Sequence, residues 1–163
     1  MDQIKIRKPT AEDGFLVHKL IDSCKPLDTN SVYCNLLQCS HFNDTCRIAI
    51  YDNTPAAFVS GYLIPGECNS LFIWQVAVSQ KARGKGVGQK LIREIICSDD
   101  NINKIKTTIT NTNDASWSLF KKLASSLNGS LTSKPHFTKE EHFGGMHDTE
   151  HLVEICFSNP IKE

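Results

Sequence analysis

The chain has 163 residues, 18 Lys and Arg against 18 Asp and Glu, and a 40% hydrophobic content. That length fits one domain over residues 1–163 with a sizeable core, and the neutral balance excludes nucleic acid as the main partner, since that partner demands a basic field. No apolar run is long enough to span a bilayer, and the opening Met-Asp-Gln-Ile-Lys-Ile-Arg-Lys-Pro lacks the apolar core of a signal peptide, so a cytoplasmic protein without a membrane partner is expected.

Ile4-Lys5-Ile6-Arg7 alternates apolar and charged residues and predicts a strand. Thr10 with Asp13 resembles a helix cap, and Phe15, Leu16, Leu20 and Ile21 then line an amphipathic helix. Cys24 to Asn30 holds Pro26 and Asp28 and reads as a loop, followed by a short helix from Ser31 to about Cys39. Arg47 to Tyr51 and Ala56 to Ile64 are strands of a hairpin turned by Asp52-Asn53-Thr54-Pro55. Leu71 to Val78 is nearly all apolar, as a central strand requires. A glycine loop and a helix to about Cys97 follow, with Leu91, Ile92, Ile95 and Ile96 on one face. Lys104 to Thr110 is a strand, and Asn113 to about Ser126 is a helix with Trp117, Phe120, Leu123 and Ala124 inward. A last strand lies near Leu152 to Phe157. This order predicts an α/β fold: a mixed sheet, largely antiparallel at the start, with a crossover in the second half. The seven cysteines read as buried small hydrophobes, and Cys34, Cys39 and Cys46 lack the paired spacing of zinc sites, so no metal is expected.

The strand ending at Val78 opens into the helix that runs to about Cys97 through Arg83-Gly84-Lys85-Gly86-Val87-Gly88. Free N–H groups at a helix start, the helix dipole and absent side chains make an anion site, so a phosphorylated ligand is expected here. No Gly-Lys-Ser/Thr closes the loop, which excludes the Walker pattern, and glycines at every second position do not fit the dinucleotide fingerprint. The plain alternative is a solvated basic turn; the strand before, the helix after and Asn113 beyond argue against it.

Arg83, Gly86 and Gly88 resemble the Gln/Arg-x-x-Gly-x-Gly/Ala motif of the Gcn5-related N-acetyltransferases, and Asn113, Ser116 and Phe120 resemble their second motif. The resemblance implies a central, mostly antiparallel sheet flanked by about four helices, and acetyl-CoA as co-substrate. It implies that N–H groups from Arg83 through Gly84, Lys85, Gly86, Val87 and Gly88 to Gln89 hold the pyrophosphate. Val76, Ala77 and Val78 would run beside the pantetheine arm, Val76 or Val78 offering an N–H to the thioester oxygen. Asn113, Ser116 and Phe120 would complete the cofactor site. One departure stands out: Phe120 occupies the place of the usual tyrosine, and phenylalanine has no proton for the leaving thiolate.

Further segments widen the match: Pro26 to Cys39, Phe58 to Tyr62, Phe72 to Val78, and His142 to Glu150. Together they resemble the L-2,4-diaminobutyrate acetyltransferases of ectoine (osmolyte) synthesis, over about Ile6 to Ile155. This implies acetyl transfer to the γ-amine by direct attack in a ternary complex, and a homodimer. An ammonium flanked by carboxylates and an aromatic face suits an amino-acid pocket, which points to Asp28, Tyr33, Trp74, Asp148 and Glu150. Three of them have a second reading: Trp74 as core, Asp28 as a cap for the next helix, Tyr33 as core or interface. The base stays open among Asp148, Glu150 and His147. Two other functions fit the same residues: an acetyltransferase of another small diamine or diamino acid, or a CoA-binding regulator without catalysis.

Overall fold

A computed structural model of the chain describes residues 4–161; residues 1–3 and 162–163, the ends of the expected domain span, lie outside them. The described residues form seven strands and four α-helices. They group into two compact units: residues up to Tyr62 with Ile73–Asp99, and Leu63–Phe72 with the residues from Asp100 onward. The strand order is β1-β2-β3-β4 in the first and β4-β5-β7-β6 in the second, β4 running through both.

The first unit holds β1 (Lys5–Arg7), α1 (Gly14–Ser23), α2 (Val32–Ser40), β2 (Arg47–Tyr51), most of β3 (Thr54–Leu63), the end of β4 (Ser70–Val78) and α3 (Val87–Ile96). β1 pairs antiparallel with β2, and β2 with β3. Asp52 and Asn53 turn that hairpin with φ of 49° and 55°, the left-handed angles that a two-residue turn needs and these residue types tolerate. The register shifts between Ala49 and Ile50, opposite Pro55, which has no N–H for a regular ladder.

Val17, Leu20, Ile21, Cys24, Cys39, Cys46, Ile48, Phe58 and Ala77 form the core of this unit. Helical spacing explains α1's share: Val17, Leu20 and Ile21 face inward. Phe15 and Leu16, expected on that face, are exposed. Thr10 donates its N–H to Asp13 as expected, at 2.7 Å, but the turn it starts is a short 3-10 turn. Asp13 is also held by both guanidinium nitrogens of Arg7, at 2.7 and 2.9 Å. Buried Arg47 donates to the carbonyls of Asp44, Cys46 and Glu94 at 3.0, 2.7 and 3.4 Å. Glu94 lies in the last turn of α3, so this cation meets the negative end of the helix dipole and anchors α3 on β2.

In the second unit, Ser70–Phe72 of β4 pair in parallel with β5 (Lys104–Thr110). β5 pairs antiparallel with β7 (Glu150–Cys156), which pairs antiparallel with β6 (Ser130–Phe137). α4 (Asp114–Ser126) buries Phe120, Leu123 and Ala124. Trp117, expected inward, is half-buried; its indole N–H donates to Thr110 O at 3.1 Å and Lys121 lies over its ring. β6 has no counterpart among the predicted strands. Its sequence is polar, contains Pro135 and buries neither face, as befits an edge strand defined by pairing alone.

The cysteines divide. Cys24, Cys39 and Cys46 are buried as expected, whereas Cys68, Cys97 and Cys156 are exposed, and all seven are free thiols. Burial pushes the Cys39 thiol up to about 12 and the Cys46 thiol up to about 11.

Candidate functional site

In the first unit β4 ends at Val78 and a 3-10 turn, Gln80–Ala82, leads to the glycine loop. Ser79 N–H donates to Ala56 O at 2.8 Å, fastening the turn to β3. The Arg83 N–H donates to Ser79 O at 3.1 Å, so it is already occupied, and the stretch of donors expected from Arg83 onward starts at Gly84. The Arg83 side chain turns back: its Nε donates to Val78 O at 3.2 Å, which leaves both terminal guanidinium nitrogens for an anion. The same Val78 carbonyl accepts from the Cys24 thiol at 3.4 Å. β4's last residue is thereby held from two sides.

Gly86 is the N-cap of α3 and no side chain caps the helix start, so its first-turn N–H groups are not consumed by a capping oxygen. Gly84 and Gly86 lie at φ of 75° and 70°, and an added Cβ at either would meet nothing within 4 Å. Glycine is needed there for the backbone angle and not for space. Gly84, Lys85 and Gly86 are exposed, Gln89 is half-buried, and Val87 and Gly88 are buried beneath them. The arrangement is a helix N-terminus with open donors, flanked by Arg83 and Lys85: a phosphate site in chemical terms.

Along β4 the side chains alternate, so Trp74, Val76 and Val78 share one face, with Gln75 and the buried Ala77 on the other. Trp74 is 47% exposed, edge-on to Tyr62 with 6.1 Å between ring centroids; it is not plain core. Gln75 Nε2 donates to Asp28 O at 2.9 Å, and Asn30 Nδ2 donates to Gln75 Oε1 at 3.5 Å. The loop carrying Asp28 therefore lies beside Trp74's strand. Ser31 caps α2, its Oγ accepting the Cys34 N–H at 3.0 Å, so Asp28 is not the cap. The Asp28 carboxylate is exposed and makes no hydrogen bond or ion pair among the described residues. Tyr33, on the first turn of α2, is 70% exposed, which removes the core reading.

In the second unit Asn113 caps α4, its Oδ1 accepting the Ser116 N–H at 3.1 Å. Part of that motif is thus accounted for by the helix start itself. Phe120 is buried, so the place of the usual tyrosine is an apolar core contact. His147 Nδ1 lies 2.6 Å from Asp148 O. A carbonyl only accepts, so Nδ1 carries the proton, and Nε2 faces Glu150 Oε1 at 3.8 Å. Phe143 lies against the His147 ring. The two carboxylates differ sharply. The Asp148 side chain is 66% exposed and pairs with Lys139 at 3.4 Å; that of Glu150 is 20% exposed. Glu150 Oε2 is buried and has no hydrogen-bond partner among the described residues. Among the described residues no group of three or more His, Cys, Asp or Glu side chains is placed to hold a metal ion.

Sequence reasoning passed over Gln75 and Tyr62. Gln75 left a signal: it is the one strongly polar side chain in the apolar run Leu71 to Val78. Tyr62 left none, because an aromatic residue late in a strand looks like ordinary core.

The chain matches the Acetyltransferase (GNAT) family over residues 15–124. It is 48% identical to L-2,4-diaminobutyric acid acetyltransferase of Methylotuvimicrobium alcaliphilum over 154 residues, covering 93% of this chain and 90% of the relative. It is 47% identical to the protein of the same description from Vibrio cholerae, covering 91% and 87%. Among solved structures it is similar to diaminobutyrate acetyltransferase EctA of Paenibacillus lautus in complex with its substrate L-2,4-diaminobutyric acid and coenzyme A. That likeness has a TM-score of 0.90 and 31% identity, and covers 100% of this chain and 98% of that one.

Proposed function

The chain belongs to the GNAT acetyltransferase family, among the L-2,4-diaminobutyric acid acetyltransferases, and from that membership we propose that it transfers the acetyl group of acetyl-CoA to L-2,4-diaminobutyrate. One structural observation supports this most directly. A single strand, β4, carries the exposed Trp74 and, next to it, Gln75, which tethers the Asp28 loop, and it ends in a glycine loop that opens a helix without a capping side chain. Candidate residues for the amino acid and a candidate phosphate cradle thus share one strand.

The finer reading is acetylation of the γ-amine by direct attack within a ternary complex. The neutral amine attacks the thioester carbonyl; a C–N bond forms, the C–S bond breaks, the ammonium proton passes to a base and coenzyme A leaves as thiolate. An N–H of Val76 or Val78 meets the developing oxyanion. Arg83 to Gln89, with Asn113, Ser116 and Phe120, serve the cofactor; Asp28, Tyr33, Trp74, Asp148 and Glu150 serve the diamino acid. Of the three candidate bases Glu150 suits the task best: its Oε2 is buried without a partner, whereas Asp148 is exposed and already paired. With Phe120 in place of a tyrosine, the thiolate leaves unassisted, which a thiol pKa of about 8.5 permits. The γ-acetyl product is the one that cyclises to the osmolyte ectoine. We place the enzyme in the cytoplasm, as one domain over residues 1–163, and as a homodimer. The exposed Phe15, Leu16 and Phe42 support the dimer.

The test is thiol release from acetyl-CoA with L-2,4-diaminobutyrate, ornithine, lysine and putrescine, followed by fragmentation of the product in the mass spectrometer. Turnover on diaminobutyrate with the acetyl group on the γ-nitrogen is expected. A protein that binds CoA yet releases no thiol with diaminobutyrate would sink the activity, and a mainly α-acetylated product would sink the regiochemistry.

A further inference from the structure

We propose that Gln75 is a positioning residue for the diamino-acid pocket: its carboxamide clamps the Asp28–Asn30 segment onto β4 and so sets where the Asp28 carboxylate stands. The proposal rests on the reading of Asp28 as a substrate-binding residue.

Residues 24 to 30 form a connection between α1 and α2 that makes little backbone structure of its own. Its internal backbone bond is Leu27 N–H to Cys24 O at 3.0 Å. Near its start the Cys24 thiol ties it to Val78 O, and Leu27 packs on the core. Beyond Leu27, Thr29 Oγ1 donates to Asp22 Oδ1 at 3.2 Å, an exposed contact with α1. The contact with the sheet is Gln75, which spans 47 residues of chain to reach Asp28.

Both ends of the Gln75 amide are used, and in the only chemically consistent sense. Its NH2 donates to a carbonyl, Asp28 O, and its oxygen accepts from an NH2, that of Asn30. A flipped amide would set oxygen against oxygen and nitrogen against nitrogen, so the pair of contacts defines one orientation. It also explains a strongly polar side chain in the otherwise apolar run Leu71 to Val78 of β4. Gln75 adjoins Trp74 along β4, so the clamp fixes the anionic loop at the level of the strand that bears the exposed indole, although the two side chains leave β4 on opposite faces. Among the described residues the exposed Asp28 carboxylate has no partner of its own to hold it. Its position therefore follows its backbone, and the Gln75 hydrogen bond fixes that backbone at Asp28's carbonyl.

The test uses the full chain with four variants: Gln75→Leu, Gln75→Glu, Asp28→Ala, and Gln75→Leu with Asp28→Ala. Gln75→Leu removes both contacts at similar volume. Gln75→Glu keeps the acceptor for Asn30 and loses the donor to Asp28 O. Steady-state kinetics are read for both substrates, and thermal unfolding confirms that each variant folds. Gln75→Glu is expected to raise the KM for diaminobutyrate about two- to thirteenfold, the loss of one net hydrogen bond, and Gln75→Leu at least as much. The kcat and the KM for acetyl-CoA should stay within about twofold, a split that a general loss of structure would not give. The double variant should be no worse than Asp28→Ala alone, since Gln75 acts through Asp28. Unchanged diaminobutyrate KM in both Gln75 variants, equal losses on both substrates, or additive effects in the double variant would overturn the proposal. If Gln75→Leu fails to fold, Gln75→Glu decides by the same criteria. An Asp28→Ala enzyme with wild-type kinetics would overturn it through its premise, and that result is distinguishable because it appears without any change at Gln75.

Discussion

Replacing Gly86 by alanine separates the two demands made on the glycine loop. Gly86 holds φ of 70°, and nothing lies within 4 Å of an added Cβ. The substitution therefore introduces backbone strain without a clash. A left-handed angle costs an L-residue about 1–2 kcal/mol. Alanine recovers about 0.4–1 kcal/mol by restricting the unfolded chain. The ligand-free protein should lose at most about 1.6 kcal/mol, or up to about 6 °C in melting temperature for a chain of this size. The ligand-bound protein should lose more, because the methyl sits where the phosphate donors converge. At a CoA concentration of about 100 Kd the wild type gains about 2.7 kcal/mol from binding; a variant bound tenfold more weakly gains only about 1.4 at the same concentration. A thermal-shift titration with and without CoA reads both quantities. A ligand-free Gly86→Ala protein clearly more stable than the wild type would refute the left-handed assignment. A full CoA-induced shift in Gly86→Ala would refute the loop as the phosphate cradle.

Three other changes test separate parts of the molecule. Glu150→Gln should lower kcat by about 10²–10⁴-fold with CoA binding intact, while Asp148→Ala should mainly raise the KM for diaminobutyrate; single-turnover and steady-state kinetics distinguish them, and the reverse pattern would move the base to Asp148. Arg7 holds the Asp13 carboxyl below its ordinary range, chiefly by its hydrogen bonds. A depressed folded-state pKa contributes stability that is complete above the unfolded value near ~4 and is lost as pH falls through the folded value. Asp13→Asn should therefore destabilise at pH 7 by on the order of 1 kcal/mol, given that Arg7 is partly exposed, and flatten the acid limb of urea midpoints between about pH 4 and 2. Iodoacetamide at pH 8 should label Cys68, Cys97 and Cys156 in the native protein and spare Cys39 and Cys46, whose buried thiols are pushed up to about 12 and about 11. Peptide mapping that finds Cys39 labelled first would contradict the burial.

Local patterns were legible where one face of an element is buried. β5 runs from Lys104 to Thr110, as its alternation predicts, and α3 buries Leu91, Ile92, Ile95 and Ile96. The Asp52-Asn53 turn and the strand–glycine–helix junction were legible for a related reason, since each needs backbone angles that few residue types supply. β6 was not legible, because a polar edge strand carries no periodic signal and exists only through its partner β7. Which of Phe15, Leu16 and Val17 face the core was equally hidden: a helix wheel offers overlapping apolar stripes, and the packing against Cys39, Ile48 and Phe58 chooses among them.

For the site, residue type and spacing already marked an anion-binding loop, and the family resemblance pointed to CoA as its ligand. Arg83, Gly84 and Gly86 mark that loop through chemistry that does not depend on distant parts of the chain. The tertiary structure alone decided how the candidate acceptor residues are placed. It brought Asp28 to Trp74's strand through Gln75, gave the helix cap to Ser31, and left Tyr33 in solvent. It also separated Glu150 from Asp148 by burial, although the two are only two residues apart. Hydrogen-bond partners and desolvation arise between segments far apart in sequence, so the order of residues named the candidates and only the folded chain gave each its surroundings.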